Sequence, residues 1–230
     1  MGLDLVVGMR ALIEDDEGLA VFDEDLQIFN RTLNAVGLPS HVEQEAPAEE
    51  SFTCQMWGYG GLHDLRRLAA HIQAGLDPKP FAPTFEATND PVLGELYRLW
   101  ESASFENGVG RLRSREVGQQ FDHLIFHGDA DGMYLPIDFD DVVLGTFERD
   151  GMGFAIGSSH ALARECEALA EWLDLPLSLD LETPQMWSAA ESPPKTGPKW
   201  QQFGVESFGC LRLHRASRHS IDRGMALVFA

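Results

Sequence analysis

The sequence predicts an α+β fold: a small antiparallel sheet with a central hairpin, flanked by helices, in one domain over residues 1–230. Three observations carry this expectation. Helical stripes and hairpin-type strand pairs are mixed along the chain rather than strictly alternating, the order of an α+β protein. Residues 121–139 read as two strands around Asp131-Gly132, a dipeptide that supplies the positive φ angles of a two-residue loop. Hydrophobic residues at 44% and aromatics at 10% suffice to bury a sheet under helices and exclude a disordered chain.

The elements follow in order. Leu3, Leu5 and Val7 alternate and predict an opening strand. Residues 23–36 read as a helix, with Asp23 and Asp25 at its positive N-terminal end and Gly37 and Pro39 ending it. The Glu- and Ala-rich run 43–53 reads as a solvated loop. Over 60–76, Leu62, Leu65, Ala69, Ile72 and Leu76 form one apolar stripe, leaving His63, Arg66, Arg67 and His71 on the other faces. The proline-containing run 77–89 reads as a loop. Asp90-Pro91 opens the next helix, a cap followed by proline, with Leu93, Leu96, Tyr97 and Trp100 on its buried side. Residues 104–118 form a polar connection to the hairpin.

Beyond the hairpin, 142–147 and 154–156 predict a second strand pair around Glu148-Arg-Asp-Gly151. Gly157-Ser158-Ser159 then precedes a helix with Leu162, Cys166, Leu169 and Leu173 on one face. Residues 183–199, with four prolines, read as irregular. Residues 200–223 predict the last helix, stopped by Gly224, and 225–229 a closing strand.

The Asp131-Gly132 turn fixes a register in the central hairpin. Leu124, Phe126, Ile137 and Phe139 fall on an apolar face, because side chains alternate along a strand. His123 faces Asp140, His127 faces Pro136, Asp129 faces Tyr134 and Ile125 faces Asp138 on the reverse. His123, His127, Asp129, Tyr134, Asp138 and Asp140 are therefore the candidate binding residues. No metal or other cofactor is expected. His123 and His127 would stand roughly 13 Å apart on a strand at ~3.3 Å per residue, too far to share an ion. Asp129-Ala-Asp131-Gly132 begins like a calcium loop, but the closing acid does not follow at the required spacing. No nucleophile elbow, Walker sequence or dinucleotide fingerprint occurs, so no catalytic residue is assigned.

Charge narrows the partners. The net charge is −20, and within residues 1–50 twelve acids face two arginines, half of the whole excess. Such a field repels nucleic acid and anionic lipid, and it steers basic partners. Cys54, Cys166 and Cys210 show no paired spacing and suit reduced thiols. With no basic-then-apolar leader and no run of ~20 apolar residues, the expected location is cytoplasmic.

The run from His123 to Phe139, with Gly157-Ser158-Ser159 and the helix after it, resembles the central segment of a group of uncharacterised bacterial cytosolic proteins. Its members read roughly His-Ser-Asp-x-x-Gly-Tyr-Tyr-Val-Pro-x-Asp-Phe there. Gly128 and Met133 depart from the usual Ser and Tyr, and the similarity covers about a third of the chain. The resemblance implies no activity.

The functional expectation is a protein-binding or regulatory module, of the immunity type by analogy, with a protein or small molecule as partner. The alternatives are a metal-assisted hydrolase using His127, Asp129 and Asp138, and a small-ligand binder at the same face.

Overall fold

The computed structural model describes residues 3–81, 86–101, 105–106, 109–112, 120–128, 132–147 and 149–230. Its strands are β1 (Asp4–Val7), β2 (Phe52–Gln55), β3 (Phe105–Glu106), β4 (Val109–Leu112), β5 (Gly132–Leu135), β6 (Val142–Thr146), β7 (Gly153–Ser158) and β8 (Leu227–Phe229). They form one sheet in the order β2-β1-β8-β5-β7-β6-β4-β3. β5 and β7 run parallel, and the other pairs are antiparallel. The helices are α1 (Asp16–Ala35), α2 (Gly58–Gln73), α3 (Pro91–Glu101), α4 (Asp122–Ile125), α5 (Ser159–Leu173), α6 (Pro184–Glu191), α7 (Lys199–Gln202) and α8 (Gly204–Arg223). The fold is α+β.

Strand alternation builds two cores, one on each face of the sheet. Met133 and Leu135 on β5, Val143 on β6, and Phe154 and Ile156 on β7 point to one side, where Phe22, Ile28, Phe29 and Leu33 of α1 cover them. Phe29, Phe147 and Phe154 form an aromatic cluster there, with ring centroids 4.7 to 5.8 Å apart. Tyr134, Val142, Leu144 and Ala155 point the other way, into a larger core with Leu5 and Val7 of β1 and the apolar faces of α2, α5 and α8. Thus, among the described residues, α1 covers one face and most helices share the other.

α8 lies deepest in the helical layer. Ser207, Ser217 and Ser220 are fully buried along it. The Ser217 hydroxyl bonds the Leu213 carbonyl four residues back, and the Ser220 hydroxyl bonds Ser159 at 2.8 Å. Small side chains let α5 and α8 approach closely.

Several local expectations hold. β1 and the antiparallel β6–β7 pair form where expected. Asp90 caps α3 by accepting from the Val92 and Leu93 amides. Ser158 caps α5 by accepting from the Ala161 amide, and Gly224 ends α8 in the left-handed region.

Others are corrected. The sheet is not small, and it has no hairpin over 121–139. The presumed first strand of that hairpin is the helical turn α4, and β5 pairs with β7 and β8 instead. α1 begins seven residues earlier than expected, because the Asp15 side chain accepts from the Gly18 amide and caps it. The expected loop 43–53 ends in β2, which pairs with β1. The irregular run 183–199 contains α6. The last helix breaks at Phe203, where a Cβ on Gly204 would sit 1.9 Å from the Ala189 carbonyl oxygen. Arg66 and Arg67 are buried rather than outward-facing. Arg66 donates to the carbonyls of Leu124 and His127, and Arg67 bonds Asp64 and stacks on Phe81.

Candidate functional site

The His/Asp segment is held open by distant residues. The Glu165 carboxylate on α5 accepts from the amides of His123 and Leu124, at 2.9 and 2.7 Å. Arg66 on α2 takes the Leu124 and His127 carbonyls. Together they satisfy backbone groups that a partner strand would otherwise pair, so a turn replaces the strand.

His123, His127 and Tyr134 come together in the interior. The Ser158 amide donates to Nδ1 of His123, so the ring proton lies on Nε2, which donates to the Asp140 carbonyl. Burial lowers the His123 pKa to about 4, against the pull of that carbonyl. The ring is a neutral latch between β7 and the segment after β5. His127 donates from Nδ1 to the Gly128 carbonyl. The Tyr134 hydroxyl donates to the His123 carbonyl.

The acids go elsewhere. Asp138 is exposed and pairs with Arg164 at 2.9 Å. Asp140 is exposed at the sheet end. Asp129 and Asp131 lie outside the described residues.

Beside α4 is a cavity of about 260 Å³ lined by Gln120, Asp122, His123, Asp140, Arg164 and Glu165, among others. Asp122 is 3% exposed, and among the described residues neither of its carboxylate oxygens has a hydrogen-bond partner. Burial, reinforced by repulsion from Asp141, pushes its pKa up to about 7. Burial also holds Glu165 well above the ordinary carboxylate range, against its two amide bonds. Among the described residues, no cluster of three or more His, Cys, Asp or Glu side chains could hold a metal ion.

Acidic residues gather on the exposed positions at the start of α1. Asp15, Asp16, Glu17, Asp23, Glu24 and Asp25 lie along its first half. Arg10 neutralises Asp23 at 2.9 Å, and Arg149 pairs with Asp25. Among the described residues, no ion pair engages Asp15, Asp16, Glu17 or Glu24, and all four are exposed. Ten residues of helix rise about 15 Å. Asp15, Asp16 and Glu17 are consecutive, and Glu24 follows seven residues on, about 10 Å further along the axis.

A second row, Glu167, Glu171 and Asp174, runs on exposed positions at the C-terminal end of α5. It lines a shallow recess with Leu175, Pro176 and Leu177. Glu167 bonds His214 at 3.4 Å.

The acidity of residues 1–50 was legible in composition. Its concentration on one helix was not, because Gly18 interrupts the apparent pattern and hides the Asp15 cap. Asp122 carried no local signal at all.

A search of curated proteins and one of solved structures each returned no match. A family model described as "Putative DNA-mimic protein" matches residues 1–229. That match overturns the metal-assisted hydrolase and small-ligand alternatives, and it is compatible with the expected protein-binding module. It also corrects the small molecule expected as an alternative partner; a protein partner and the exclusion of nucleic acid are consistent with it. The match spans nearly the whole chain, and the protein belongs to this DNA-mimic family.

Proposed function

We propose that this protein is a decoy for DNA: it offers the acidic side of α1 to the nucleic-acid-binding surface of a basic, DNA-binding protein. The observation that carries this reading is the set of exposed carboxylates on α1, Asp16, Glu17 and Glu24, that no ion pair engages among the described residues. Family membership and the net charge of −20 support it. A DNA-binding surface gains much of its affinity from lysine and arginine against phosphate. Exposed carboxylates held on a folded helix meet the same donors. The protein takes no nucleic acid itself, since like charges repel.

The remaining expectations fit this reading. A decoy for chromosomal or regulatory DNA-binding proteins works in the cytosol of a bacterium. Three free cysteines suit that compartment, and no helix among the described residues is long and apolar enough to cross a membrane. The segment from His123 to Phe139 belongs to the signature of the family, within one α+β domain over 1–230.

The test is competition. Proteins of the native lysate that bind DNA-cellulose at low salt are offered the immobilised protein, and those retained are challenged with free duplex DNA. The expected result is retention of one or a few of them, with release by duplex or by raised salt. If none of the DNA-binding fraction is retained under conditions where DNA-cellulose holds it, the decoy reading fails.

A further inference from the structure

We infer that this protein pairs with a second copy of itself along β2, joining two sheets edge to edge in an antiparallel, two-fold arrangement. The joint stands on the geometry of β2; only its use rests on the decoy reading.

β2 is an outermost strand of the sheet. Its even-numbered residues turn their backbone groups toward β1. Met56 donates to the Leu3 carbonyl, and Cys54 and Phe52 lie opposite Leu5 and Val7 in the same phase. The alternation of an antiparallel ladder therefore turns the amides and carbonyls of Thr53 and Gln55 outward. Both residues are exposed. Among the described residues, no hydrogen bond reaches the outward groups of either.

Folded proteins protect such an edge with charge, proline or a bulge. β2 has none of these: its register against β1 is continuous. Ser51 to Trp57 is uncharged, in a chain where 23% of residues carry charge. At the opposite edge, by contrast, β3 is only two residues long.

A second copy fits because the strand complements itself. A two-fold axis through Cys54 sets Thr53 against Gln55 of the second copy, and Gln55 against its Thr53. Every outward group then meets one of its own kind of ladder. An axis through Thr53 would set Gln55 against Ser51, whose amide is already bonded to the Ala48 carbonyl. An axis through Gln55 would set Thr53 against Trp57, whose carbonyl already accepts from Gly61 at the start of α2. Charge permits the register through Cys54. Glu49 and Glu50 lie beyond one end of β2, and antiparallel order puts the two copies of them at opposite ends of the joint. Glu182, whose charge reaches Cys54, is paired with Arg212 at 3.0 Å.

An axis perpendicular to the sheet keeps α1 on the same face in both copies. α1 packs over β5, β6 and β7, away from the joint, so both acidic surfaces stay open. The pair fits DNA-binding proteins that read two half-sites as dimers.

The experiment is sedimentation velocity on the full chain, over a concentration series at low and high salt. The wild type should pass from monomer to dimer as concentration rises. Salt should favour the dimer, because it screens the repulsion between two chains of charge −20; contact with a basic partner responds in the opposite direction. Thr53→Glu with Gln55→Glu sets like charges opposite each other at both pairs and should weaken dimerisation on the order of tenfold. Thr53→Lys with Gln55→Glu sets opposite charges there and should retain the dimer. Both side chains are exposed, and neither double variant removes a bond to β1. A wild type that stays monomeric throughout, or a dimer that both double variants affect alike, overturns the joint. No DNA-binding protein enters these measurements, so the competition assay judges the decoy reading separately.

Discussion

The imidazole of His127 lies flat on the Tyr134 ring, with centroids 3.9 Å apart and planes 13° from parallel. The stack is possible because Gly157 lies opposite Tyr134 on the parallel neighbour β7. A Cβ there would come within 2.3 Å of the Tyr134 ring and 3.2 Å of His127. Gly157→Ala should therefore destabilise the protein by about 1–3 kcal/mol, the usual cost of overpacking. Equilibrium urea unfolding measures it, and an unchanged midpoint would show that the ring has somewhere else to go.

Glu165 substitutes for a strand by holding two amides of α4. Glu165→Ala leaves both buried without an acceptor, at a cost on the order of 3 kcal/mol. Glu165→Gln keeps one acceptor and should cost less. Amide hydrogen exchange at His123 and Leu124 is the local readout. Equal protection in wild type and alanine variant would contradict the assignment.

Glu206 on α8 is 6% exposed, and burial raises its pKa to about 7, with repulsion from Asp64 added and attraction to Arg67 opposing. A carboxyl whose folded pKa exceeds its unfolded value contributes stability that is complete below the unfolded value and fades as pH climbs through about 7. Glu206→Gln removes that loss. The variant should gain on the wild type by about 1 kcal/mol or more between pH 4.5 and pH 8. A constant difference across that range, followed by chemical denaturation, would show the carboxyl to be ionised throughout.

His123 acts in the opposite sense. Its folded pKa of about 4 lies below the ordinary 6.5, so the unfolded chain takes up a proton first. Its contribution is intact above pH 6.5 and declines as the solution is acidified toward pH 4. The imidazole resonances of His123 in a proton NMR titration should stay in the neutral position down to about pH 5. Protonation near 6.5 would indicate an open site.

On α1, structural and surface carboxylates should separate cleanly. Asp15→Ala loses the cap on the Gly18 amide and should cost about 1 kcal/mol. Glu24→Gln touches no cap and should leave the melting temperature almost unchanged. It should lower the association rate with a retained DNA-binding partner, most visibly at low salt. A salt-independent rate would remove α1 from the contact.

Local chemistry was readable from sequence wherever the cause lay within a few residues. The Asp90 and Ser158 caps, the apolar stripe of α5 and the β6–β7 pair are of this kind. The central hairpin was misread because Asp131-Gly132 is a strong local turn signal, whereas α4 is fixed by Glu165 and Arg66, roughly forty to sixty residues away. β2 escaped for the same reason: its Phe52–Gln55 run becomes a strand by pairing with β1. The acidic surface was half legible. The excess of acids in residues 1–50 pointed to a basic partner, yet its alignment on a single helix depended on a cap next to Gly18. Nothing beside Asp122 in the sequence signals its burial, which α5 imposes from across the fold.

The position of β8 has a bearing on biosynthesis. Residues 227–229 sit between β1 and β5, and Asp4 exchanges both backbone bonds with Ala230 at 2.9 Å. The β1–β2 pair and the β5–β7–β6 group can each assemble as the nascent chain emerges, but they remain two separate ribbons. Only when residue 229 has been made do they become a continuous sheet. Until then β1 waits for β8, and a copy lacking β8 would display raw strand edges to its neighbours.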